Sequence, residues 1–240
     1  MTRAVLIPVK DLTLAKQRMA GLLSQVERTT LARAMMDDVF AAVNAARGVD
    51  AVYLVSSDAL ALARAQSLGW NVFPEDAQLS ESRSVDYASR LCQERGVHAL
   101  LRLPIDIPLI EPGDIESLLH AAVEGPSVIV VPSRDGQGTN ALLRTPPSLF
   151  PSHFGPGSLS KHLAEARRAG ASTEVVRNPR IELDLDDEAD LRHFLAEDVK
   201  KTATRACLTR LLSRREETMR DGIQKSETSS FGGAHGSDRA

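Results

Sequence analysis

Short apolar runs alternate with amphipathic helical stretches over the first half of the chain, and this alternation most strongly limits the possible fold. The runs of strand length cover residues 4–9, 51–56, 71–73, 99–103 and 127–132. Continuously apolar runs are typical of strands that are covered on both faces of a sheet. Because helical stretches separate the runs, right-handed crossovers would make the strands parallel. The sequence therefore predicts an α/β fold of three layers, α/β/α, with a mostly parallel central sheet.

Composition excludes several classes of protein. The 240 residues are 42% hydrophobic and 25% charged, which is near the average for soluble globular proteins. A formal net charge of -3 and an aromatic content of 4% do not favour nucleic acid or a membrane as partner. No run approaches the ~20 apolar residues of a membrane span, and no N-terminal signal peptide is recognisable, so we expect a cytoplasmic protein. Cys92 and Cys207 form no Cys-x-x-Cys pair, which argues against a thiolate metal site.

Carboxylates occur at two places that suit a ligand site. Asp106 follows the fourth apolar run, where the carboxyl ends of parallel strands border a crevice, although a turn aspartate that bonds nearby amides is the alternative. Asp184 and Asp186 alternate in an extended segment, which places both on one side of the chain. Such a pair suits a hard cation such as Mg²⁺. Acidic residues ahead of a helix also occur because of the helix dipole.

A basic loop follows the first strand. Lys10, Lys16 and Arg18 lie in or just after this loop, and phosphate groups bind where helix-start amides and cationic side chains face the same anion. The alternative is a solvated basic turn.

Two glycine-rich segments carry polar residues. In the first, Thr139 and Asn140 follow two glycines spaced by one residue, which let the backbone approach a ligand closely. In the second, Gly155 and Ser158 stand just before a helix, in the manner of an anion seat. Alone, the first segment could be a hairpin turn, and the second a loop before a capped helix.

Several predictions concern local structure. A polar loop is predicted up to residue 84, followed by a helix over about 85–95, so that Ser84 and Asp86 either cap that helix or meet a nucleotide. Short strands are predicted at 175–176 and 181–183. The globular domain is expected to span 1–199. Residues 200–240 are expected to form a helical extension and a disordered tail, since 226–240 are rich in Gly and Ser.

Together these elements favour nucleotidyl transfer. Carboxylates hold Mg²⁺, the metal and the basic side chains neutralise a triphosphate, and an acceptor phosphate attacks the α-phosphorus. The chain has no Gly-x4-Gly-Lys-Ser/Thr motif, which argues against a P-loop enzyme.

The chain carries a series of short motifs, which in order are Ile7-Pro-Val-Lys10, Ala15-Lys16-x-Arg18-Met19, Pro104-Ile-Asp106-Ile-Pro108, Asp135-Gly-x-Gly-Thr139-Asn140, Phe154-Gly-Pro-Gly-Ser158 and Leu183-Asp-Leu-Asp186. The ordered combination resembles the CofC family of guanylyltransferases over residues 1–197. The resemblance implies a Rossmann-like, GT-A-like nucleotidyltransferase fold. It further implies a GTP-dependent enzyme of coenzyme F-420 biosynthesis that joins GMP to a three-carbon phospho-acid and releases pyrophosphate. The acceptor in that family is 2-phospho-L-lactate, phosphoenolpyruvate or 3-phospho-D-glycerate.

The resemblance also implies roles for individual residues. Asp106 and Lys16 are the implied catalytic residues, and Asp106, Asp184 and Asp186 the implied metal ligands. The implied nucleotide-binding residues are Pro8, Lys10, Lys16, Arg18, Ser84 and Asp86, and the implied acceptor-binding residues are Thr139, Asn140, Gly155 and Ser158. Many family members carry Gly-Leu-Asn where this chain has Ser84-Val-Asp86. This difference inclines the acceptor toward phosphoenolpyruvate or 3-phospho-D-glycerate.

Two other functions are compatible with the residues. One is a related nucleotidyltransferase for molybdopterin or a sugar phosphate, although the glycine-rich start of those enzymes is replaced here by Pro8-Val-Lys10. The other is a non-catalytic nucleotide-binding protein of the same fold. The interpretation also allows a homodimer and transfer of the product to the next enzyme of the pathway.

Overall fold

The computed structural model describes residues 1–77, 80–197 and 202–213, and within them seven strands form one central sheet. The strands are β1 (Arg3–Val9), β2 (Ala51–Ser56), β3 (Asn71–Pro74), β4 (Ala99–Arg102), β5 (Ser127–Pro132), β6 (Thr139–Thr145) and β7 (Ser172–Val175). Their order across the sheet is β3-β2-β1-β4-β6-β5-β7. β6 is antiparallel to both of its neighbours, β4 and β5, and the other pairs are parallel.

Helices cover both faces of this sheet. They are α1 (Gln25–Ala45), α2 (Ala59–Ser67), α3 (Glu81–Glu94), α4 (Pro112–His120), α5 (Ser158–Arg168), α6 (Pro179–Glu182), α7 (Glu188–Ala196) and α8, over residues 203–213. Along β1, Val5 and Ile7 join the large core under α1 and α4, whereas Ala4 and Leu6 join the core under α3. This alternation is that of a strand buried on both sides. The predicted three-layer α/β fold with a mostly parallel sheet is confirmed.

The segment before the acidic pair is helical, so the predicted strand at 181–183 is wrong. Residues 179–182 form α6, because Pro179 occupies the first helical turn and the Asn178 side chain accepts hydrogen bonds from the amides of Arg180 and Ile181. The edge strand near 175–176 does form, as β7, which pairs in parallel with β5.

Helix α3 begins earlier than the sequence pattern indicates. Ser80 accepts a hydrogen bond from the Arg83 amide and caps a helix that starts at Glu81, about four residues before the predicted start. Ser84 and Asp86 therefore lie inside this helix. Residues 78–79 of the predicted loop lie outside the described residues.

Helix α8 packs on the large core. Cys207, Leu208 and Leu211 are buried there, and the Asp38 carboxylate accepts hydrogen bonds from the amides of Ala203 and Thr204 at 2.7 and 2.8 Å. The domain boundary at residue 199 stays a prediction, and the predicted tail from 214 onward is outside the described residues. Among the helices that the structure describes, none combines the length and apolar character needed to cross a membrane.

Candidate functional site

A cleft of about 950 Å³ opens at the carboxyl ends of β1 and β4. The loops after β1, β4 and β5 border it, together with the start of β6, the start of α5 and the segment after α6. Most residues that the sequence singled out line this cleft: Pro8, Lys10, Lys16, Arg18, Asp106, Thr139, Asn140, Gly155, Ser158, Asp184 and Asp186. Residues from five distant segments of the chain are thus brought together, at the sheet edge where α/β folds bind ligands.

The acidic residues are fixed to one another through the backbone. The amide of Leu185 donates a hydrogen bond of 2.9 Å to the carbonyl oxygen of Asp106. The Leu185 side chain is fully buried in the core, and its neighbours Asp184 and Asp186 line the cleft. The three carboxylates therefore share one wall of the site.

Lys16 joins this acidic wall as its counter-ion. Its Nζ lies 2.9 Å from Oδ2 of Asp106 and 2.8 Å from Oδ1 of Asp186. Burial alone would lower the pKa of Lys16, but the charges of these two carboxylates outweigh it and raise the pKa above its usual range. Burial would raise the pKa of Asp106, but Lys16 and Arg102 hold it below its usual value. Both groups of this pair are therefore charged.

The Lys16 backbone takes an uncommon conformation. Its φ of 54° and ψ of 44° place it in the left-handed region, and it is the one non-glycine residue with positive φ among those described. Such a conformation is disfavoured for a side chain with a Cβ and concentrates at functional sites. The strained turn aims the ammonium group between the two carboxylates.

Of the three carboxylates, Asp184 has the negative charge that the site compensates least, since Lys16 pairs with the other two. Burial raises its pKa to about 6, the neighbouring Asp106 carboxylate adds to the effect, and a hydrogen bond from Asn140 opposes it. That bond runs from Asn140 Nδ2 to Asp184 Oδ1 at 3.1 Å, and the same nitrogen donates to the carbonyl oxygens of Ile181 and Glu182. The Asn140 amide is thus engaged with the acidic wall.

The carboxylates of Asp106, Asp184 and Asp186 are chemically suitable ligands for a hard cation. Three carboxylates supply oxygen ligands only, and repulsion from Asp106 adds to the effect of burial in raising the pKa of Asp184. In the arrangement at hand the Lys16 ammonium lies between Asp106 and Asp186. Over the described ranges, no group of three or more His, Cys, Asp or Glu side chains is already arranged to hold a metal ion. A cation bound there would share the carboxylates with Lys16.

Small and hydroxyl residues form a second wall of the cleft. The Ser158 Oγ lies 3.2 Å from the Thr139 Oγ1, across the gap between the start of α5 and the start of β6. Gly138 precedes Thr139, and a Cβ at this position would lie 2.7 Å from the Ser133 hydroxyl, so a larger residue would force the Ser133 side chain to move. Gly155 has a φ of +110°, which likewise favours glycine.

Sequence reasoning missed two residues that contact this wall. Arg102 is buried beside the cleft, donates to the carbonyl oxygens of Thr139 and Asn140, pairs with Glu81, and stacks 4.1 Å from the centre of the Phe154 ring. Burial lowers its pKa to about 10, against the pull of Asp106 and Asp184. A charge inside an apolar strand was the signal that could have found it. His162, one helical turn after Ser158, contacts Thr139 and could have been found from the i, i+4 spacing.

Ser84 and Asp86 do not line the cleft. The Ser84 hydroxyl donates to the Glu75 carboxylate at 2.9 Å. Asp86 accepts a hydrogen bond from the Ser152 amide at 2.9 Å and lies 3.9 Å from the buried guanidinium of Arg144. The nucleotide-binding role predicted for both residues was implied by the family resemblance. The helix α3 instead directs them to structural partners.

Comparison with known families agrees with this geometry. Residues 3–216 match the family model described as "Guanylyl transferase CofC like". A phosphoenolpyruvate guanylyltransferase of Rubrobacter xylanophilus is 40% identical over 201 residues, which cover 82% of this chain and 95% of that protein. A 2-phospho-L-lactate guanylyltransferase of Methanothermobacter thermautotrophicus is 35% identical over 195 residues, covering 81% and 85% of the two chains.

The fold has a solved counterpart. A protein of Desulfovibrio desulfuricans G20, described as a nucleotide-diphospho-sugar transferase, superposes with a TM-score of 0.69 over 88% of this chain and 95% of its own, at 16% identity. At that identity the likeness establishes a nucleotidyltransferase-like fold and no more. The family match covers most of the chain, and the relatives match nearly their whole length. The chain belongs to the CofC family of guanylyl transferases.

Proposed function

We propose that this protein transfers GMP from GTP to a three-carbon phospho-acid, with phosphoenolpyruvate as the leading acceptor. The observation that carries the proposal is a single cleft with two unlike walls. One wall holds Lys16 with Asp106, Asp184 and Asp186, and suits a metal-bound triphosphate. The other holds hydroxyl groups and glycine-rich backbone, and suits a small anion.

The basic residues bind the triphosphate in this proposal. Lys10 and Arg18 are exposed beside the cleft, and the Arg18 Nη1 lies 3.7 Å from Oδ2 of Asp186. Their side chains can therefore reach a phosphate without first leaving a buried position. Pro8 lies near the end of β1, close to this loop, and contributes shape to the nucleotide side of the cleft.

Asp106, Asp184 and Asp186 would hold Mg²⁺. When bound, the ion would neutralise the triphosphate and polarise the α-phosphate. Asn140 keeps the Asp184 carboxylate in place, so we assign to it a positioning role on the metal side in place of direct acceptor contact. Lys16 orients Asp106 and Asp186 and supplies positive charge where the phosphates converge.

The acceptor would be seated by Thr139, Gly155 and Ser158. An oxygen of its phosphate attacks the α-phosphorus of GTP and forms a new P–O–P linkage. The bond from the α-phosphorus to the oxygen that bridges to the β-phosphate breaks, and pyrophosphate leaves with the bonding electron pair. Atoms and charge balance without a further reactant.

Phosphoenolpyruvate ranks first because several relatives of 30–40% identity carry that name. 2-Phospho-L-lactate ranks second, on one relative of 35% identity. 3-Phospho-D-glycerate is the third acceptor for testing, since the three acids differ by single contacts. We place the step in coenzyme F-420 biosynthesis on the family resemblance.

Turnover with a panel of acceptors tests the proposal. Purified protein is incubated with GTP, Mg²⁺ and each of the three phospho-acids, and pyrophosphate release is measured. We expect release with phosphoenolpyruvate, loss of release in Asp106→Asn with the fold retained, and loss on addition of a chelator. No release with any acceptor would refute the proposal, and GTP binding without turnover would favour a non-catalytic nucleotide-binding protein.

A further inference from the structure

His162 lies behind the acceptor wall, the part of the cleft formed by Thr139, Gly155 and Ser158, and contacts it with one ring nitrogen. Its Nδ1 is 3.0 Å from the Thr139 Oγ1, and its Nε2 is 2.9 Å from the amide nitrogen of His153. The side chain is fully buried, against the edge of the Phe154 ring at 5.0 Å between centroids. Both ring nitrogens therefore have fixed partners, and the ring is held in one orientation.

The partners of His162 determine its tautomer. A backbone amide can only donate, so Nε2 must accept from His153 and carries no proton. Burial, with the charges of Arg144 and Arg102, lowers the pKa of the imidazole to about 3, which keeps the ring neutral. The single ring proton is thus on Nδ1. It follows that Nδ1–H donates to the Thr139 Oγ1.

This direction controls the two hydroxyl protons of Thr139 and Ser158. The hydroxyls are 3.2 Å apart, so one of their two protons is shared between them. Because His162 donates to Thr139, the second hydroxyl proton is not needed for the hydrogen bonds that join His162, Thr139 and Ser158. Among the hydrogen bonds of the described residues it has no protein acceptor, and both residues line the cleft. With the opposite tautomer, Thr139 would donate to Nδ1 and Ser158 to Thr139, leaving only lone pairs to face an anion.

We propose that His162 is a positioning residue that makes the Thr139–Ser158 pair a hydrogen-bond donor to an anionic oxygen of the phospho-acid acceptor. The inference rests on the proposed function for the identity of the anion. The hydrogen bond pattern itself does not depend on that identity. A donor bond to a charged oxygen is worth about a 10- to 100-fold change in affinity, which sets the size of the expected effect.

Two substitutions separate this role from simple packing. His162→Leu removes both ring nitrogens, whereas His162→Asn keeps an amide donor near the position of Nδ1. We expect His162→Leu to raise the KM for phosphoenolpyruvate ~10- to 100-fold, with the KM for GTP within about twofold of wild type. His162→Asn should restore most of the acceptor affinity. Arg168→Gln, an exposed change on the same helix, is the matched control.

A double-mutant cycle tests whether His162 acts through Thr139. Thr139→Val removes the hydroxyl that His162 contacts, so adding His162→Leu to it should change acceptor affinity by less than about twofold. Additive effects of the two changes, or no rescue by His162→Asn, would overturn the inference. Thermal unfolding of each variant checks that the protein is folded, and the Asn variant keeps the test valid if the Leu variant unfolds.

Nitrogen NMR of the wild-type histidines provides a readout that does not require turnover. We expect the His162 signals of a neutral ring protonated at Nδ1, assigned by their loss in His162→Asn. A ring protonated at Nε2 would overturn the inference even in an active enzyme. Absence of turnover and of phosphoenolpyruvate binding in the wild type would instead refute the proposed function, whatever the tautomer.

Discussion

At the scale of single residues, Lys16 is the group on which the acidic wall depends. Its ammonium is within 3 Å of both Asp106 and Asp186, and a left-handed backbone turn directs it there. We expect Lys16→Met to lower kcat/KM for GTP by about 10²- to 10³-fold, as for loss of one preorganised charge donor. Steady-state pyrophosphate release measures this. Activity within fivefold of wild type would contradict the role, and Arg33→Met, which removes an exposed positive charge on α1, is the control.

The second residue-scale expectation concerns Asp184 and pH. Its pKa is raised from 3.8 to about 6, so between these values the folded protein holds a proton that the unfolded chain has released. The free energy of unfolding therefore falls as pH rises through this window. Asp184→Asn should remove that contribution and add about 1–3 kcal/mol of stability at pH 7.5 in chelator.

Urea unfolding at pH 4 and 7.5 measures the Asp184 effect. Asp37→Asn, at a half-exposed surface pair with Arg64, is the control for a change of one charge. An equal stability difference between wild type and Asp184→Asn at both pH values would contradict the raised pKa. Added Mg²⁺ should stabilise the wild type at pH 7.5 and stabilise Asp184→Asn much less.

At the scale of elements, helix α3 is a case in which the sequence-based prediction and the structure differ in where the helix starts. Ser80 followed by Glu81 starts a helix inside a polar segment that lacks apolar periodicity, so the pattern places the start too late. Residues 181–183 look like a strand in the sequence because the apolar Ile181 and Leu183 alternate with a polar residue, whereas the helix α6 is only four residues long and ends at Glu182. The Asp106 turn and both glycine-rich segments were predictable, because glycine, proline and acid patterns encode them locally. Arg102 and His162 left only weak signals in the sequence, and their roles depend on contacts made across the fold.

The placement of Asp86 in α3 gives an element-scale prediction. Asp86 is the carboxylate nearest the buried Arg144, at 3.9 Å, and it also holds the Ser152 amide. We expect Asp86→Asn to lower the free energy of unfolding by about 1–2 kcal/mol, with an unchanged KM for GTP. Ser84→Ala is the paired variant, with the same expectation for KM. A rise of tenfold or more in the KM for GTP would contradict this expectation and support the nucleotide-binding role.

At the scale of the whole molecule, the packing of α8 indicates where the folded domain ends. Leu208 and Leu211 of α8 are buried in the large core, and Asp38 of α1 caps the start of α8. The family match ends nearby, at residue 216. We expect a chain ending at 216 to keep the melting temperature and activity of the full chain, and a chain ending at 199 to lose several kcal/mol of stability. Equal melting temperatures for the two truncated chains would support the sequence-based boundary at 199.

The sequence predicts a mostly parallel sheet but not the order of its strands. Alternating runs indicate a parallel sheet, and the insertion of antiparallel β6 between β4 and β5 follows from a hairpin that the glycines at 136 and 138 allow but do not require. This insertion brings Thr139 and Asn140 beside Arg102. The acceptor wall is thus a product of topology.

The most direct test of the account follows the α-phosphate of GTP. The protein is mixed with Mg²⁺, phosphoenolpyruvate and GTP labelled at the α-phosphorus, and the products are separated by ion-exchange chromatography. We expect the label in an adduct of guanosine and the acceptor, with one pyrophosphate formed per adduct and none in Asp106→Asn. Label found only in GTP, GDP or free GMP with all three phospho-acids would contradict guanylyl transfer to an acceptor in this cleft.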